Sequence, residues 1–240
     1  MEKSVTVFSI ASEWRKFLKA GGLVTVVYGM LGLLDLVLGV LTIPVHQAAS
    51  TSAALQAVNS NTLVWEGFST VGVLVDVLNL VVFVALYFTL RQVSQGAPAL
   101  ALVTTIASST VDLAINVPLN LGLVGLGRSY AAGGSDVEKA AYLATAELTL
   151  NATQVGGEIA GLLFGIAVIF VSYAMLESHA FGSGAVYTGM LSGIAWLAYA
   201  IPIPAVGIFF LLLASLCFCI WALLTGRRLY VLCSKRSTAS

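Results

Sequence analysis

Charge is what this sequence has least of. Asp, Glu, Lys and Arg make up 9% of its 240 residues, where a soluble domain carries about 25%. That shortage excludes a solvated globular domain. The 11 acids balance the 11 bases, so no excess of positive charge exists to hold nucleic acid. Histidine is scarce as well. His46 and His179 fall on opposite sides of the bilayer in the topology derived below, which leaves a zinc cluster or a bilayer haem without ligands. Three cysteines (Cys217, Cys219 and Cys233) form no C-x-x-C pair and no even-numbered disulfide framework. They read as buried or juxtamembrane thiols, with palmitoylation of Cys233 beside basic residues as the alternative. No apolar run holds a lysine for a Schiff base, and the glycine-flanked aspartates of an intramembrane protease are missing. The chain therefore reads as a non-enzyme without cofactor.

Apolar residues fill the gap, at 59% of the chain with a mean hydropathy of +0.98. A spanning helix needs about 20 apolar residues. Six runs meet that length, at 20–43, 68–90, 99–126, 152–176, 182–201 and 205–225. The expected fold is all-α: a polytopic bundle of six transmembrane helices in one domain, 20–225, with the lipid bilayer as its first partner. The first run is too long for the roughly 7–15-residue core of a signal peptide. Residues 1–19 read as an interfacial lead, with Arg15, Lys16 and Lys19 between Ala11, Trp14, Phe17 and Leu18. The competing reading makes them the start of the first span. Residues 226–240 form a basic tail.

Orientation follows from the positive-inside rule. An inside N-terminus places Lys3, Arg15, Lys16, Lys19, Arg91, Arg227, Arg228, Lys235 and Arg236 inside, against Arg128 and Lys139 outside. Both termini are then cytoplasmic in a multi-pass protein of the cell membrane. Two outer segments, 44–67 and 127–151, are longer than turns. Ser135-Asp136-Val137-Glu138 is a capping box, and Trp65 is placed as an interfacial anchor. Together the two segments suggest an outer cap of short amphipathic helices. Pro118 should disturb the third span, and Pro202 with Pro204 should turn the chain between the last two.

Within these runs stand four lone acids: Asp35, Asp76, Asp112 and Glu158. A charge in hydrocarbon is costly and usually faces a bundle interior or a hydrated cavity. At about 1.5 Å per residue, Asp35 and Asp76 lie about 12 Å below the outer boundary, Glu158 roughly 9 Å and Asp112 roughly 20 Å. Asn116 and Asn120 follow Asp112 at steps of four, which keeps them on its helix face. Asn79 lies near Asp76, and Gln154 shares a face with Glu158. No Lys, Arg or His lies in a span to pair with these acids, so at least one is expected to hold its proton. Three readings stay open. The acids fix helix packing through hydrogen bonds. They form a proton- or cation-linked transport site. They line a pocket for a polar ligand or lipid headgroup. A structural or accessory subunit of a larger complex, with a membrane-protein partner, is the alternative of another class.

Glycines recur at steps of four: Gly157, Gly161 and Gly165 in the fourth run, and Gly189 and Gly193 in the fifth. Small residues admit close helix packing. Val73-Leu-Val-Asp76-Val-Leu78, Gly156-Gly-Glu-Ile-Ala-Gly-Leu-Leu-Phe-Gly165 and the stretch from Gly184 to Tyr199 resemble elements of a domain-of-unknown-function family of six-helix prokaryotic integral membrane proteins. The resemblance covers roughly residues 20–225. It implies the six-helix architecture and a plasma-membrane location, and it carries no activity.

Overall fold

The structure, a computed structural model, describes residues 12–200 and 204–234, the side chains of 12–15, 46, 204–206 and 233 excepted. Every element among the described residues is helical. In order they are α1 (Ser12–His46), α2 (Thr51–Ser60), α3 (Thr62–Leu90), α4 (Gly96–Val111), a π-helical turn (Asp112–Asn116), α5 (Val117–Ala131), α6 (Asp136–Ser178), α7 (Ser183–Tyr199) and α8 (Pro204–Ser234).

Five stretches are long and apolar enough to cross a membrane: Lys16–Val45, Thr62–Leu90, Gly96–Ala131, Asp136–Ser178 and Gly207–Leu232. Five of the six expected spans thus meet the length among the described residues, and one does not. The fifth expected span, 182–201, folds as α7, which has 17 residues. That is about 25 Å of helix, against a hydrocarbon core of about 30 Å. Its bounds have local causes. His179 ends α6 in the left-handed region at φ 49°, and Gly182 is extended before Ser183. Pro202 follows closely in sequence and biases its predecessor away from helix.

Other boundaries shift too. Residues 12–19 continue α1 without a break instead of forming a separate lead; residues 1–11 lie outside the described part. Leu18 is buried, and Lys19 sits 5.0 Å over the Tyr230 ring, so this stretch is packed into the bundle. At the other terminus α8 runs unbroken past residue 226 to Ser234. The expected outer cap holds one short helix, α2, with Ser50 capping it through the Ala53 N–H. The second cap segment is the start of α6. Its capping box forms, the Glu138 carboxylate accepting from the Ser135 N–H at 2.7 Å. At 43 residues, α6 is about 64 Å long, twice the depth of a bilayer core. Its first turn is exposed, and its packing with α2 and α5 involves Leu143, Ala146 and Leu150.

Close glycine contacts set the register. A Cβ on Gly193 would stand 2.7 Å from the Gly165 carbonyl oxygen, and one on Gly165 would stand 2.8 Å from that of Gly193. Backbone thus lies on backbone where α6 and α7 cross. Gly161 faces the Trp196 ring, and Gly189 faces Ser172 and Trp221. Gly22 and Gly226 make the same kind of contact between α1 and α8, a pair outside any G-x-x-x-G spacing. Gly157 departs from the expected packing stripe, since its nearest neighbour would be 3.9 Å away; Gly156 is the tight one, against Asn116 and Ile115. The two lie about 100° apart on a helix, so only the partner's position decides between them.

Two apolar clusters result. One, at the end where α1 starts and α8 finishes, gathers Tyr28, Phe83, Leu86, Met175 and Trp221. The other, at the α2 end, gathers Leu55, Val58, Trp65, Leu123 and Ala146. Overpacking a tight site costs typically 1–3 kcal/mol. Gly193→Ala is therefore expected to lower the thermal midpoint of the purified protein by about that cost. Gly125→Ala, where nothing stands within 4 Å of a new Cβ, should leave the midpoint unchanged or raise it. Equal effects from the two would contradict the backbone-on-backbone contact.

Candidate functional site

Between the two apolar clusters the helices line a half-open cavity of about 1090 Å³. Asp35 reaches it from α1, and Asp76 and Asn79 from α3. Asp112, Asn116 and Asn120 come from the π turn and α5, Gln154 and Glu158 from α6. All eight expected polar residues thus line one space. Among the described side chains, which do not include that of His46, its lining contains no Lys, Arg or His.

The π turn explains how three of them reach it. Pro118 has no N–H to donate, and its ring crowds the carbonyl four residues back. The helix answers by widening instead of breaking. The Val117 N–H bonds the Asp112 carbonyl five residues back, and the Asp112 N–H is shared between the Ser108 and Ser109 carbonyls. Such π turns recur at functional sites. Across the widened turn the Asn116 amide donates to the Asp112 carboxylate, and Asn120 follows into the cavity one turn on.

Three aspartates form the centre. Asp35, Asp76 and Asp112 stand near enough to feel one another's charge. Asp76 is 8% exposed, with the Ser109 hydroxyl in hydrogen-bonding reach of its carboxyl. Ser109 also accepts from Asn79 Nδ2 at 3.4 Å. Glu158 occupies a separate corner. It accepts from Gln154 Nε2 at 3.1 Å, and its charge is felt at Tyr199. Among the described residues no three His, Cys, Asp or Glu side chains gather closely enough to hold a metal ion. The oxygen donors surround a space instead of converging on a point.

Several polar atoms here lack a partner. Asn79 is 3% exposed, yet its Oδ1 meets no hydrogen-bond donor, nor do Asp35 Oδ1 and Asn116 Oδ1, and the Trp196 Nε1–H meets no acceptor. Buried polar groups ordinarily are bonded, and an orphan costs about 1–3 kcal/mol. The cavity is the common surrounding of these four residues.

Some contributors escaped the sequence reading. Ser108 and Ser109 looked like unremarkable small residues in a helix, although their place one turn before Asp112 was a usable signal. Ser108 donates to the Ala160 carbonyl at 2.9 Å and ties α4 to α6 beside the cavity. Aromatic walls come from Tyr28, Phe68, Phe164, Trp196, Tyr199 and Phe218. His46 ends α1 at the α2 end and His179 follows α6 at the other.

Fold and cavity together define a class: an all-helical chain, compatible with a multi-pass membrane protein, whose apolar helices border an acid-lined, half-open cavity. Comparison with protein-family models, curated proteins and solved structures finds no match. The functional reading therefore rests on this geometry.

Interhelical hydrogen bonds in membrane proteins average about 0.6 kcal/mol. Ser108→Ala should cost roughly that, measured as a loss of thermal stability, because it removes the bond between α4 and α6. Thr110→Ala removes a hydroxyl bonded only within its own helix and should cost less. The reverse order would count against the α4–α6 tie.

Proposed function

We propose that the chain is a multi-pass protein of the cell membrane whose cavity binds a positively charged species, as a proton- or cation-linked transporter or as a ligand-binding protein. One observation carries this reading: eight acid and amide side chains from five helical segments face one cavity that no basic side chain among the described residues lines. A cation entering it meets unopposed negative potential in a medium that screens poorly. The same cavity would repel an anion.

The six-crossing topology belongs to this proposal. α7 runs antiparallel between α6 and α8 from Gly189 beside Ser172 and Trp221 to Trp196 beside Gly161. It therefore lies alongside two membrane-length helices over its whole extent and serves as a short sixth crossing. The register also gathers Lys16, Lys19, Arg91, Arg227 and Arg228 at the end where Gly21 meets Ala85 and Gly22 meets Tyr230. Arg128 and Lys139 are at the other end, Arg128 held by Glu66 at 2.7 Å. That asymmetry supports cytoplasmic termini and a cavity in the outer half.

The test is thermal unfolding of the purified chain in lipid discs, titrated with sodium, calcium and an organic ammonium ion at several pH values. A ligand at 100 times its Kd stabilises by about 2.7 kcal/mol. The titratable groups facing the cavity are Asp35, Asp76, Asp112, Glu147, Glu158, Tyr28, Tyr199 and Cys219. Cation binding should strengthen as pH rises, because a carboxylate attracts a cation and a carboxylic acid does not. Asp112→Asn is expected to keep the fold and lose most of the response. If no cation and no change of pH moves the wild type, the acids are packing groups and the proposal fails.

A further inference from the structure

The cavity has two unlike walls. Its acids and amides come from α3, the π turn, α5 and α6, with Asp35 reaching in from α1. The opposite wall is aliphatic: Leu36, Val40 and Ile43 of α1 and Ile208, Leu211 and Leu212 of α8. No acid or amide of α8 lines it. These two helices are tightest lower down, where a Cβ on Gly29 would meet Ala222 and Leu223 and one on Gly32 would meet Cys219 at 3.2 Å. Higher up, Gly39 faces Phe68 of α3, and the aliphatic residues of α1 and α8 front the open space. A purely inorganic cation has no use for such a wall.

We infer that the cavity takes an amphiphilic organic cation, an ammonium head carried on an aliphatic chain. This rests on the cation-binding reading above and names its ligand class. The volume, about 1090 Å³, matches the upper end of the roughly 300–1,000 Å³ range of organic-ligand pockets. It is far larger than a metal ion needs. The head sits among Asp76, Asp112 and Asp35, whose side chains line the cavity. The chain lies on the α1–α8 wall and buries apolar area at about 25 cal/mol per Å². The absence of any three-carboxylate metal cluster among the described residues agrees with a diffuse head in place of a bare ion.

The experiment compares three radiolabelled probes on the full chain held in discs of anionic lipid, with empty discs as blank: tetramethylammonium, octyltrimethylammonium and the uncharged octyl glucoside. The expected result is saturable binding of octyltrimethylammonium at least 10-fold tighter than tetramethylammonium, with no saturable binding of octyl glucoside. Asp76→Asn and Asp112→Asn should each weaken both ammonium probes. Leu211→Gln should weaken only the long-chain one. Equal affinity for the two ammonium ions overturns the amphiphile inference and leaves cation binding standing. Saturable binding of octyl glucoside as tight as that of octyltrimethylammonium overturns both, as does the absence of any saturable binding. Because the probe series on the wild type decides the matter, a variant that fails to fold does not rescue the inference. Adding phosphatidylethanolamine to the discs separates two sources of the same chemistry: displacement of the probe assigns the head to a bilayer lipid, and its persistence assigns it to a free amphiphile.

Discussion

Carboxyl groups inside an apolar bundle must find company, and the described side chains around this cavity offer them no base. Everything distinctive in the structure follows from that constraint. An isolated carboxylate transferred to hydrocarbon is very costly, and a salt bridge to Lys or Arg would answer it locally, helix by helix. Here no basic side chain among the described residues lines the central cavity. The remaining answers are amides, hydroxyls and a shared space open to water or ligand. All three are used: Asn116 on Asp112, Ser109 between Asp76 and Asn79, and the cavity itself.

Keeping that space open requires tight contact elsewhere. The glycines supply it away from the acids. Gly165 with Gly193, and Gly22 with Gly226, bring backbones together at levels where the cavity is absent or narrowing. Dispersion gained at such contacts grows steeply as atoms approach. Below the cavity the cluster around Phe83, Trp221 and Met175 closes the bundle. At the α2 end the cluster around Trp65 and Leu123 braces the helices that carry Asp76 and Asn120. Two packed regions hold the walls of an unpacked one.

Much of this was legible in the sequence for one reason. In a chain so poor in charge, each acid within an apolar run is a large departure from background, and helical geometry converts its position into a depth and a face. Asp35, Asp76, Asp112 and Glu158 line one cavity, although their expected depths run from roughly 9 to roughly 20 Å. What stayed hidden depends on neighbours. Gly156 and Gly157 are equally small, and nothing local says which one Asn116 will approach. Residues 12–19 carry the pattern of an interfacial helix, yet Tyr230 and Phe88 stand ready to pack them. The expected length is missed at α7, whose hydropathy is ample and whose ends are cut by Gly182 and by the prolines beyond Tyr199.

The π turn shows most directly how backbone and site are joined. Pro118 removes one donor from the helix that carries Asp112, at the level where the acids meet. A break there would have freed several backbone groups in an apolar setting, each costing several kcal/mol. A widened turn keeps them bonded through the Val117 N–H and the Asp112 carbonyl. It also lets residues 112 and 116 lie side by side, so that the amide of one meets the carboxylate of the other. Their bond in turn restrains the turn that created it. Backbone accommodation of the proline and placement of the central acid are thus one event, and the place in the helix with the weakest backbone bonding is also the place where a bound cation would act most directly on it.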